Sequence, residues 1–365
     1  MSIELIISLI KANIVLAVLL TNTILLIWFE RKVVAGMQSR VGPDRAGPFG
    51  ILQTLADAIK LLLKEQILPS KADRAMYLLA PLIALVPSFL IFMIIPLGPD
   101  ITFEWQNTLY TIPFVGADLN VGVLYFLALS SIAVYSVVLA GWSSGSKYPL
   151  LGGVRASAQM ISYEAAMGLA LVPVILYSGS LSLVDIVNSQ AGNLSTSIPI
   201  LNSIVSFIPK WNIFPQFVAF GIFFIAAVAE VNRAPFDLVE AEQELVGGFH
   251  TEYSGFRFAM FFLAEYINMF NMCAITATFF LGGWLGPTFE GILPPIFSII
   301  MPIIWLGVKT FLLLFVFVWI RATLPRLRYD QLMELGWKRM IPLSLVWLIL
   351  SAIVLGLREF GLPWS

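Results

Sequence analysis

Seven carboxylates lie between residues 230 and 265, in a region flanked by long apolar runs. They are Glu230, Asp237, Glu240, Glu242, Glu244, Glu252 and Glu265. Glu230 and Glu265 lie inside or at the rim of those runs, where a charged side chain costs roughly 3 kcal/mol at the bilayer centre. This cost favours acids that handle protons or cations. The alternative is a solvated acidic loop, although inward loops of bacterial membrane proteins are usually basic.

The spacing within this acidic segment favours shared protons. Asp237, Glu240 and Glu244 are three and four residues apart, so they lie on one face if the segment is helical. Like charges this close cannot all be ionised without a large energetic cost, and exchangeable protons are what a proton relay needs. Arg233 and Arg257 are the available counter-charges.

A further carboxylate, Glu164, lies about one turn into another apolar helix. Two interpretations are open. Glu164 could be a structural carboxylate paired with Arg155. A proton-carrying role is favoured because Glu230 and Glu265 occupy similar positions, and three such acids could face one another.

Composition predicts that these acids are held by a bundle of membrane helices. Of the 365 residues, 59% are hydrophobic and 12% are charged, which excludes a soluble domain. Continuous apolar runs of ~20 residues predict transmembrane helices in an all-α integral membrane protein with a single polytopic domain over 1–365. The eight expected spans are about 12–33, 78–98, 119–141, 160–178, 215–231, 257–283, 299–320 and 341–358.

The basic residues predict the orientation of these spans. Of 21 Lys and Arg, 17 fall on alternate connections, eight of them between Arg31 and Arg74. By the positive-inside rule, both termini face outward and the long first loop faces the cytoplasm. The N-terminus lacks the basic n-region and the small-residue cleavage site of a secretory signal, so we expect a retained helix rather than a signal peptide.

The first inward loop contains a short amphipathic helix, expected at about 49–65. Gln53, Asp57, Lys60 and Lys64 step by four, three and four residues and share one face. Such a helix is too short to span the bilayer and should lie in the membrane interface. It is either an anchor or a cover whose polar face closes over a cavity with Arg31 and Arg40, and the sequence physics favours neither.

The chain has one cysteine, Cys273, and one histidine, His250. An iron–sulfur cluster, a zinc site or a haem needs more sulfur or nitrogen ligands than these. We therefore expect no metal, no bound cofactor and no redox centre in this chain, so electrons would come from a partner. His250 lies near Glu252 and could shuttle a proton, but an ordinary polar histidine of a loop is the favoured interpretation.

Short motifs of distinctive composition occur along the chain, mostly in its inward segments. They are Glu30-Arg31-Lys32, Gln38, Arg40, Gly42-Pro43, Gly47, Gly50, Gln53, Asp57, Lys60-Leu61, Lys64-Glu65, Leu151-Gly152-Gly153-Val154-Arg155-Ala156, Ser162-Tyr163-Glu164, Ala229-Glu230, Arg233, Pro235-Phe236-Asp237-Leu238, Glu240-Ala241-Glu242, Glu244-Leu245-Val246, Glu252-Tyr253-Ser254-Gly255, Gly282-Gly283-Trp284, Arg321-Ala322-Thr323-Leu324-Pro325-Arg326 and Asp330-Gln331-Leu332. With these motifs the chain resembles a known family, the H subunit of bacterial NADH-quinone oxidoreductase, which corresponds to subunit 1 of the mitochondrial enzyme and to the A subunit of the plastid enzyme. The resemblance covers essentially the whole chain.

The resemblance implies a membrane-arm subunit of respiratory complex I, in the bacterial inner membrane, that forms the membrane side of the quinone chamber and the start of a proton channel. It implies partners in the other subunits, including the iron–sulfur subunit that delivers electrons to quinone, together with lipid and no nucleic acid. The implied quinone-chamber residues are Arg31, Gln38, Arg40, Asp57 and Lys60. The implied channel acids are Glu164, Glu230, Glu240, Glu242, Glu244 and Glu265, and Asp237 is placed with them by its spacing.

In that family the channel also reaches the third span, which here offers only Ser130, Ser131, Tyr135 and Ser136. Two other functions remain open. The first is the related membrane subunit of an energy-converting hydrogenase-type or ferredoxin-linked complex. The second is an independent proton–cation antiporter, which would require gating within one chain and usually has repeated halves with broken helices; the sequence has no such repeat.

Overall fold

The computed structural model describes residues 3–105, 108–193, 209–237, 246–287 and 296–360, and these residues form a helical bundle. Most of the described residues are helical, in agreement with the expected all-α membrane fold. The helices are α1 (Ile3–Met37), α2 (Gln53–Leu63), α3 (Arg74–Met93), α4 (Gly122–Ser143), α5 (Lys147–Ser178), α6 (Leu183–Ser189), α7 (Phe217–Glu230), α8 (Gly255–Phe280), α9 (Ile296–Thr323), α10 (Tyr329–Glu334) and α11 (Ile341–Phe360).

Within the described residues, seven helical stretches are long and apolar enough to cross a membrane. They correspond to α1, α3, α4, α5, α8, α9 and the continuous stretch from α10 through α11. The remaining expected span, 215–231, coincides with α7, which has 14 residues. A helix of that length is about 21 Å long, less than the ~30 Å hydrocarbon core of a bilayer.

A short antiparallel hairpin interrupts the helical architecture within the expected connection 99–118. Strand β1 (Ile101–Trp105) pairs with strand β2 (Thr108–Ile112). Ile101 lies opposite Ile112, and Trp105 lies opposite Thr108. The hairpin joins α3 to α4 on the side of the bundle that the charge pattern assigns to the outside.

Helices α3, α4, α5 and α7 pack in succession and form the centre of the bundle. Glycines permit the close approach of α4 and α5. A Cβ atom on Gly141 would lie 2.5 Å from the carbonyl oxygen of Pro149, and one on Gly153 would lie 3.0 Å from that of Val137. Small residues at such crossings are typical of membrane helices, because close packing stabilises helix association in lipid.

The amphipathic helix of the first loop begins at Gln53, four residues later than expected. A 3-10 turn precedes it (Pro48–Gly50), in which Phe49 has φ 55° and Gly50 has φ 78°. A Cβ atom on Gly50 would lie 2.3 Å from the carbonyl oxygen of Pro43, so the chain turns sharply there. These left-handed conformations cannot continue an α-helix, which explains the later start.

A buried lysine joins α9 to the end of α8. The Lys309 side chain, 6% exposed, donates hydrogen bonds to the carbonyl oxygens of Leu281, Gly283 and Leu285. Its ammonium group also lies 4.3 Å from the centre of the Trp211 ring. Carbonyls at the C-terminal end of a helix carry partial negative charge, so this lysine stabilises that end of α8 from within the bundle.

Candidate functional site

A cavity of about 70 Å³ lies between α3, α4, α5, α7, α8 and the segment after α7. Most of its surface is apolar, but its lining includes Glu230, Asp237, His250, Glu265 and Asn268. Three of the predicted proton-carrying acids therefore face one small volume, together with the single histidine. A cavity of this size, with several polar groups in its wall, has room for a few water molecules.

The acids Glu164 and Glu230 receive hydrogen bonds from consecutive serines of α4. Ser130 donates to Glu230 over 2.7 Å, and Ser131 donates to Glu164. The two carboxylates, on α5 and α7, also interact electrostatically. The third predicted span therefore contributes hydroxyl groups to this site, although its sequence contains no acid.

An ion-pair cluster lies beside the cavity. Arg233, 4% exposed, contacts Glu30 over 3.2 Å and Glu265 over 2.8 Å. Arg321, at the end of α9, also pairs with Glu30. The guanidinium of Arg233 lies 4.4 Å from the centre of the Tyr266 ring. Four segments of the chain thus meet in one cluster of alternating charge.

Sequence reasoning named Arg233 and Glu265 but gave no role to Glu30 or Arg321. Glu30 is 3% exposed on α1, although the two residues that follow it on the same helix, Arg31 and Lys32, are charged. The sequence offered a basis for predicting this ion pair, because a carboxylate at the end of one span and an arginine at the end of another, on the same side of the bundle, can meet.

The segment that follows Glu230 is fixed on two sides. Gln159, fully buried on α5, donates from its amide to the carbonyl oxygens of Ala229 and Phe236, both over 2.8 Å. Asp237, the next residue, pairs with Arg326 over 3.0 Å. These contacts hold the turn between Glu230 and Asp237 against α5 and the segment after α9.

Two predicted counter-charges occupy other places. The guanidinium of Arg257 lies 5.4 Å from the centre of the Tyr77 ring, and that ring stacks on Tyr253 at 4.1 Å. The guanidinium of Arg155 lies 5.8 Å from the centre of the Tyr329 ring, while Glu164 accepts its hydrogen bond from Ser131. The proposed pair of Arg155 and Glu164 is therefore replaced by a serine–carboxylate pair.

Of the predicted quinone-chamber residues, three gather between α1 and α2. Arg31 pairs with Asp57 over 2.6 Å, and Gln53 donates to the other oxygen of that carboxylate over 2.9 Å. Partial burial alone would raise the pKa of Asp57, but hydrogen bonds from Arg31 and Gln53 outweigh it, with Arg31 and Lys60 also attracting the carboxylate. The pKa of Asp57 is consequently lowered.

The other two, Gln38 and Arg40, form a separate pair after the end of α1. The Nε of Arg40 donates to the Oε1 of Gln38 over 2.7 Å, and both side chains are exposed. The structure therefore divides the five predicted chamber residues into two groups.

A long apolar groove of about 770 Å³ lies between α1, α8 and α9. Along α1 it extends from Lys11 to Trp28 and Phe29, which closely precede Arg31. Almost all of its other lining residues are aliphatic or aromatic. On α1 the groove therefore ends two residues before Arg31, while Arg31, Asp57 and Lys60 are not among its lining residues.

Three predicted acids, Glu240, Glu242 and Glu244, lie outside the described residues, as does the helical face expected for them. Among the described residues, no group of three or more His, Cys, Asp or Glu side chains could hold a metal ion. Cys273 is buried in the apolar core. The main functional groups that the described residues contribute to the site are therefore carboxylates, hydroxyls and guanidinium groups.

Comparison with known proteins identifies the family. A sequence model of the family described as NADH dehydrogenase matches residues 10–352. The chain is 48% identical over 362 residues to a protein of Koribacter versatilis that is named as the second H subunit of NADH-quinone oxidoreductase, covering 97% of this chain and 98% of that protein. This chain belongs to the H-subunit family of NADH-quinone oxidoreductase.

Other H subunits are similarly close to this chain. The second H subunit of Geobacter sulfurreducens is 50% identical over 345 residues, which is 94% of this chain and 95% of the relative. The H subunit of Frankia casuarinae is 51% identical over 346 residues, which is 94% of this chain and 72% of the relative. Membership in the H-subunit family makes the chain a membrane subunit of respiratory complex I, an enzyme that it forms with other subunits.

Proposed function

We propose that this H-type subunit couples quinone reduction to proton translocation. It would form the membrane side of the quinone chamber and the start of the proton-conducting carboxylate channel. The observation that carries the proposal is the small cavity whose wall Glu230, Asp237 and Glu265 share. The relatives of this chain described above are named as subunits of NADH-quinone oxidoreductase.

The arrangement of charges supports proton handling. Glu230 is 6% exposed and has one carboxylate oxygen, Oε2, without a hydrogen-bond partner among the described residues. A few waters in the cavity could connect this oxygen to the neighbouring acids, because buried water typically binds polar groups that lack other partners. Glu164, on the other side of α4, would continue the path, and Glu240, Glu242 and Glu244 would extend it on the inward side.

The quinone side of the proposal rests on Arg31, Asp57 and Lys60, with Gln38 and Arg40 nearby in sequence. The names of the relatives, which are subunits of NADH-quinone oxidoreductase, support quinone as the substrate. The apolar groove beside α1 ends close to Arg31, and its lining suits an isoprenoid tail. Because reducing a quinone takes up protons and changes the charge of its chamber, a response in the adjacent ion-pair cluster would start proton movement.

We further propose the finer membrane arrangement. The chain would be one polytopic domain with eight spans, α7 and its flanking residues forming the fifth, and with both termini outside the inner membrane. Helix α2 would lie in the interface, since Leu55, Ile59 and Leu62 are exposed apolar side chains on a helix of 11 residues. Partners would be lipid and the neighbouring subunits, including the iron–sulfur subunit that delivers electrons to quinone.

Neither alternative from the sequence gains support. An independent antiporter would not need the extensive identity to H subunits of an oxidoreductase. The hydrogenase-type alternative has no representative among the three relatives described above, all of which are named as subunits of NADH-quinone oxidoreductase.

The test is Glu230→Gln, which keeps the size and hydrogen bonding of the side chain but removes its titratable charge. We expect an assembled complex whose quinone-reductase rate and proton pumping both fall, by about tenfold, equivalent to ~1.4 kcal/mol in the barrier. Both activities fall because tight coupling slows the redox step when proton transfer is blocked. The measurements are NADH-dependent quinone reduction and proton uptake in proteoliposomes.

The matched control is Glu334→Gln, an exposed acid that pairs with Lys338 on the same helix turn. A combined Glu230→Gln, Glu240→Gln variant should cost less than the sum of the single variants, as members of one relay do. Normal turnover and pumping in the double variant, with assembly verified on native gels, would contradict the proposed function.

A further inference from the structure

Helix α4 presents two consecutive serines to carboxylates of two different helices. Ser130 is 3% exposed and donates to Glu230 of α7 over 2.7 Å, inside the bundle. Ser131 is exposed on the surface of the chain and donates to Glu164 of α5. The two hydrogen bonds therefore lie on an inner and an outer side of the same helix.

We propose that Ser130 and Ser131 are positioning residues of the proton path. Their hydroxyls orient Glu230 and Glu164 on the two sides of α4, so that a movement of this one helix changes the hydrogen bonding of both acids together. The inference rests on the proposed function of these carboxylates, and it assigns to α4 the connection between the cavity and the outer surface of the chain.

The buried serine, Ser130, restricts the orientation of its carboxylate partner more strongly than Ser131 does. Ser130 donates to Oε1 of Glu230, and Oε2 of Glu230 is buried without a partner among the described residues. In the part of the chain that the structure describes, no other side chain donates to this carboxylate. Removal of the Ser130 hydroxyl would therefore leave Glu230 dependent on cavity water alone, with no fixed side-chain orientation.

The exposed member has two possible acceptors for one hydrogen. The hydroxyl oxygen of Ser131 lies 3.0 Å from the carbonyl oxygen of Leu127 and also contacts Glu164. A hydroxyl carries one hydrogen and two lone pairs. When Glu164 is a carboxylate, Ser131 donates to it. When Glu164 is protonated, its O–H can donate to Ser131, whose own hydrogen then points to Leu127. The direction of the hydrogen bond made by the Ser131 hydroxyl thus changes with the protonation state of Glu164, while α4 stays helical.

The two carboxylates also sense each other directly. Glu164 and Glu230 interact electrostatically, and their helices α5 and α7 pack directly on each other, as do α4 and α5. A change in the charge of one acid therefore changes the preferred hydrogen bonding of the other. Because both serines belong to one rigid helix, the two adjustments are mechanically linked as well as electrostatically linked.

The test at the buried position compares Ser130→Ala and Ser130→Cys, the second of which keeps the volume but is a weak donor. In the intact complex in proteoliposomes, we expect quinone reduction to fall about tenfold and the solvent deuterium isotope effect on turnover to rise, because proton movement becomes slower than the other steps. If Ser130→Cys showed the turnover and the isotope effect of the wild type, the proposal would be overturned. This outcome would be decisive even if Ser130→Ala did not assemble.

The test at the exposed position uses an isosteric pair. Ser131→Thr keeps the hydroxyl. Ser131→Val removes it, and the valine side chain has nearly the same shape as that of threonine. We expect Thr to retain most of the activity and Val to show a raised isotope effect and fewer protons pumped per electron. Equal behaviour of the two variants would overturn the role of Ser131.

The control is Ser144→Ala, at the C-terminal end of α4, whose hydroxyl donates over 2.6 Å only to the backbone carbonyl of Ala140 among the described residues. It should leave rate, pumping and isotope effect unchanged, because it has no acid partner there. If Glu230→Gln depresses coupling while the serine variants behave as wild type, this inference fails and the proposed function stands. If Glu230→Gln has no effect, the proposed function itself fails.

Discussion

Glu30 and Arg31 are consecutive residues of α1, yet they belong to opposite kinds of charged site. Glu30 is 3% exposed and pairs with Arg233 and Arg321, which come from distant parts of the chain. The Arg31 side chain is 45% exposed and pairs with Asp57 of the adjacent loop helix, which is 32% exposed. Neighbours in sequence therefore differ almost completely in how strongly they depend on their partners.

The difference follows from solvation. A buried charge that loses its partner is left in a low-dielectric environment, and breaking such a pair typically costs ~3–5 kcal/mol. An exposed pair is solvated by water in either state, and its net contribution is ~0–1 kcal/mol. We therefore expect substitutions in the buried cluster to impair assembly of the complex. Substitutions in the exposed group should mainly affect the reaction with the substrate.

The largest effect should come from Arg233→Ala. This change removes the 2.8 Å partner of Glu265 and one of the two arginines that pair with Glu30, so we expect a loss of ~3–5 kcal/mol in stability and failure to assemble. Arg233→Lys should be intermediate, because an ammonium group cannot reproduce the fork of contacts made by a guanidinium. The measurement is the amount of intact complex on native gels and its melting temperature.

The matched control for this prediction is Arg328→Ala. Arg328 also pairs with a carboxylate, Asp330, but both side chains are more than 70% exposed. Its loss should change stability by no more than ~1 kcal/mol. If Arg233→Ala and Arg328→Ala were equally mild, the contrast between buried and exposed ion pairs in this protein would be wrong.

An intermediate effect, on catalysis rather than on assembly, is expected for Arg40→Ala. Arg40 is exposed and its described partner is Gln38, so the complex should assemble normally. If Arg40 serves the quinone chamber, quinone reduction should fall by about tenfold, while electron transfer to a hydrophilic artificial acceptor continues. Equal loss of both activities in an intact complex would argue against a chamber role.

The smallest effect should be the stability contribution of the pair Arg31 and Asp57. A double-mutant cycle with Arg31→Ala and Asp57→Asn should give an interaction of less than ~1 kcal/mol at neutral pH. Because the pKa of Asp57 is lowered in the folded protein, the contribution is present above its unfolded pKa. It is lost as pH falls through the folded pKa. Thermal melting of the wild type and the three variants at neutral and acidic pH measures both quantities, and an interaction that grew on acidification would contradict the assignment.

The contrast also explains what could be predicted. The apolar runs predicted where helices would form, and the spacing of Gln53 and Asp57 predicted a polar face that the structure places against Arg31. Residues close in sequence interact through a local geometry that the helical repeat already defines. The acids Glu230 and Glu265 were identified by their cost at membrane depth and Asp237 by its spacing, and their roles as proton carriers stay predictions.

The partners of these acids could not be predicted from spacing. Glu30 and Arg233 are separated by 203 positions, and Glu30 and Arg321 by 291. The serines of α4 looked like a poor substitute for an acid in the third span, but they donate to Glu230 and Glu164. Arg257 was a reasonable counter-charge by proximity, yet its guanidinium lies over Tyr77.

By itself, the sequence determined a helical membrane protein, the family to which it belongs, and the unusual presence of acids at membrane depth. These properties are local, because hydropathy and motif chemistry are carried by neighbouring residues. Only the tertiary structure decided which charge is buried, which acid shares a cavity with which, and which helix supplies hydroxyl donors. The pairing and solvation of a charged group depend on contacts between distant segments, and those contacts exist only after the helices have packed.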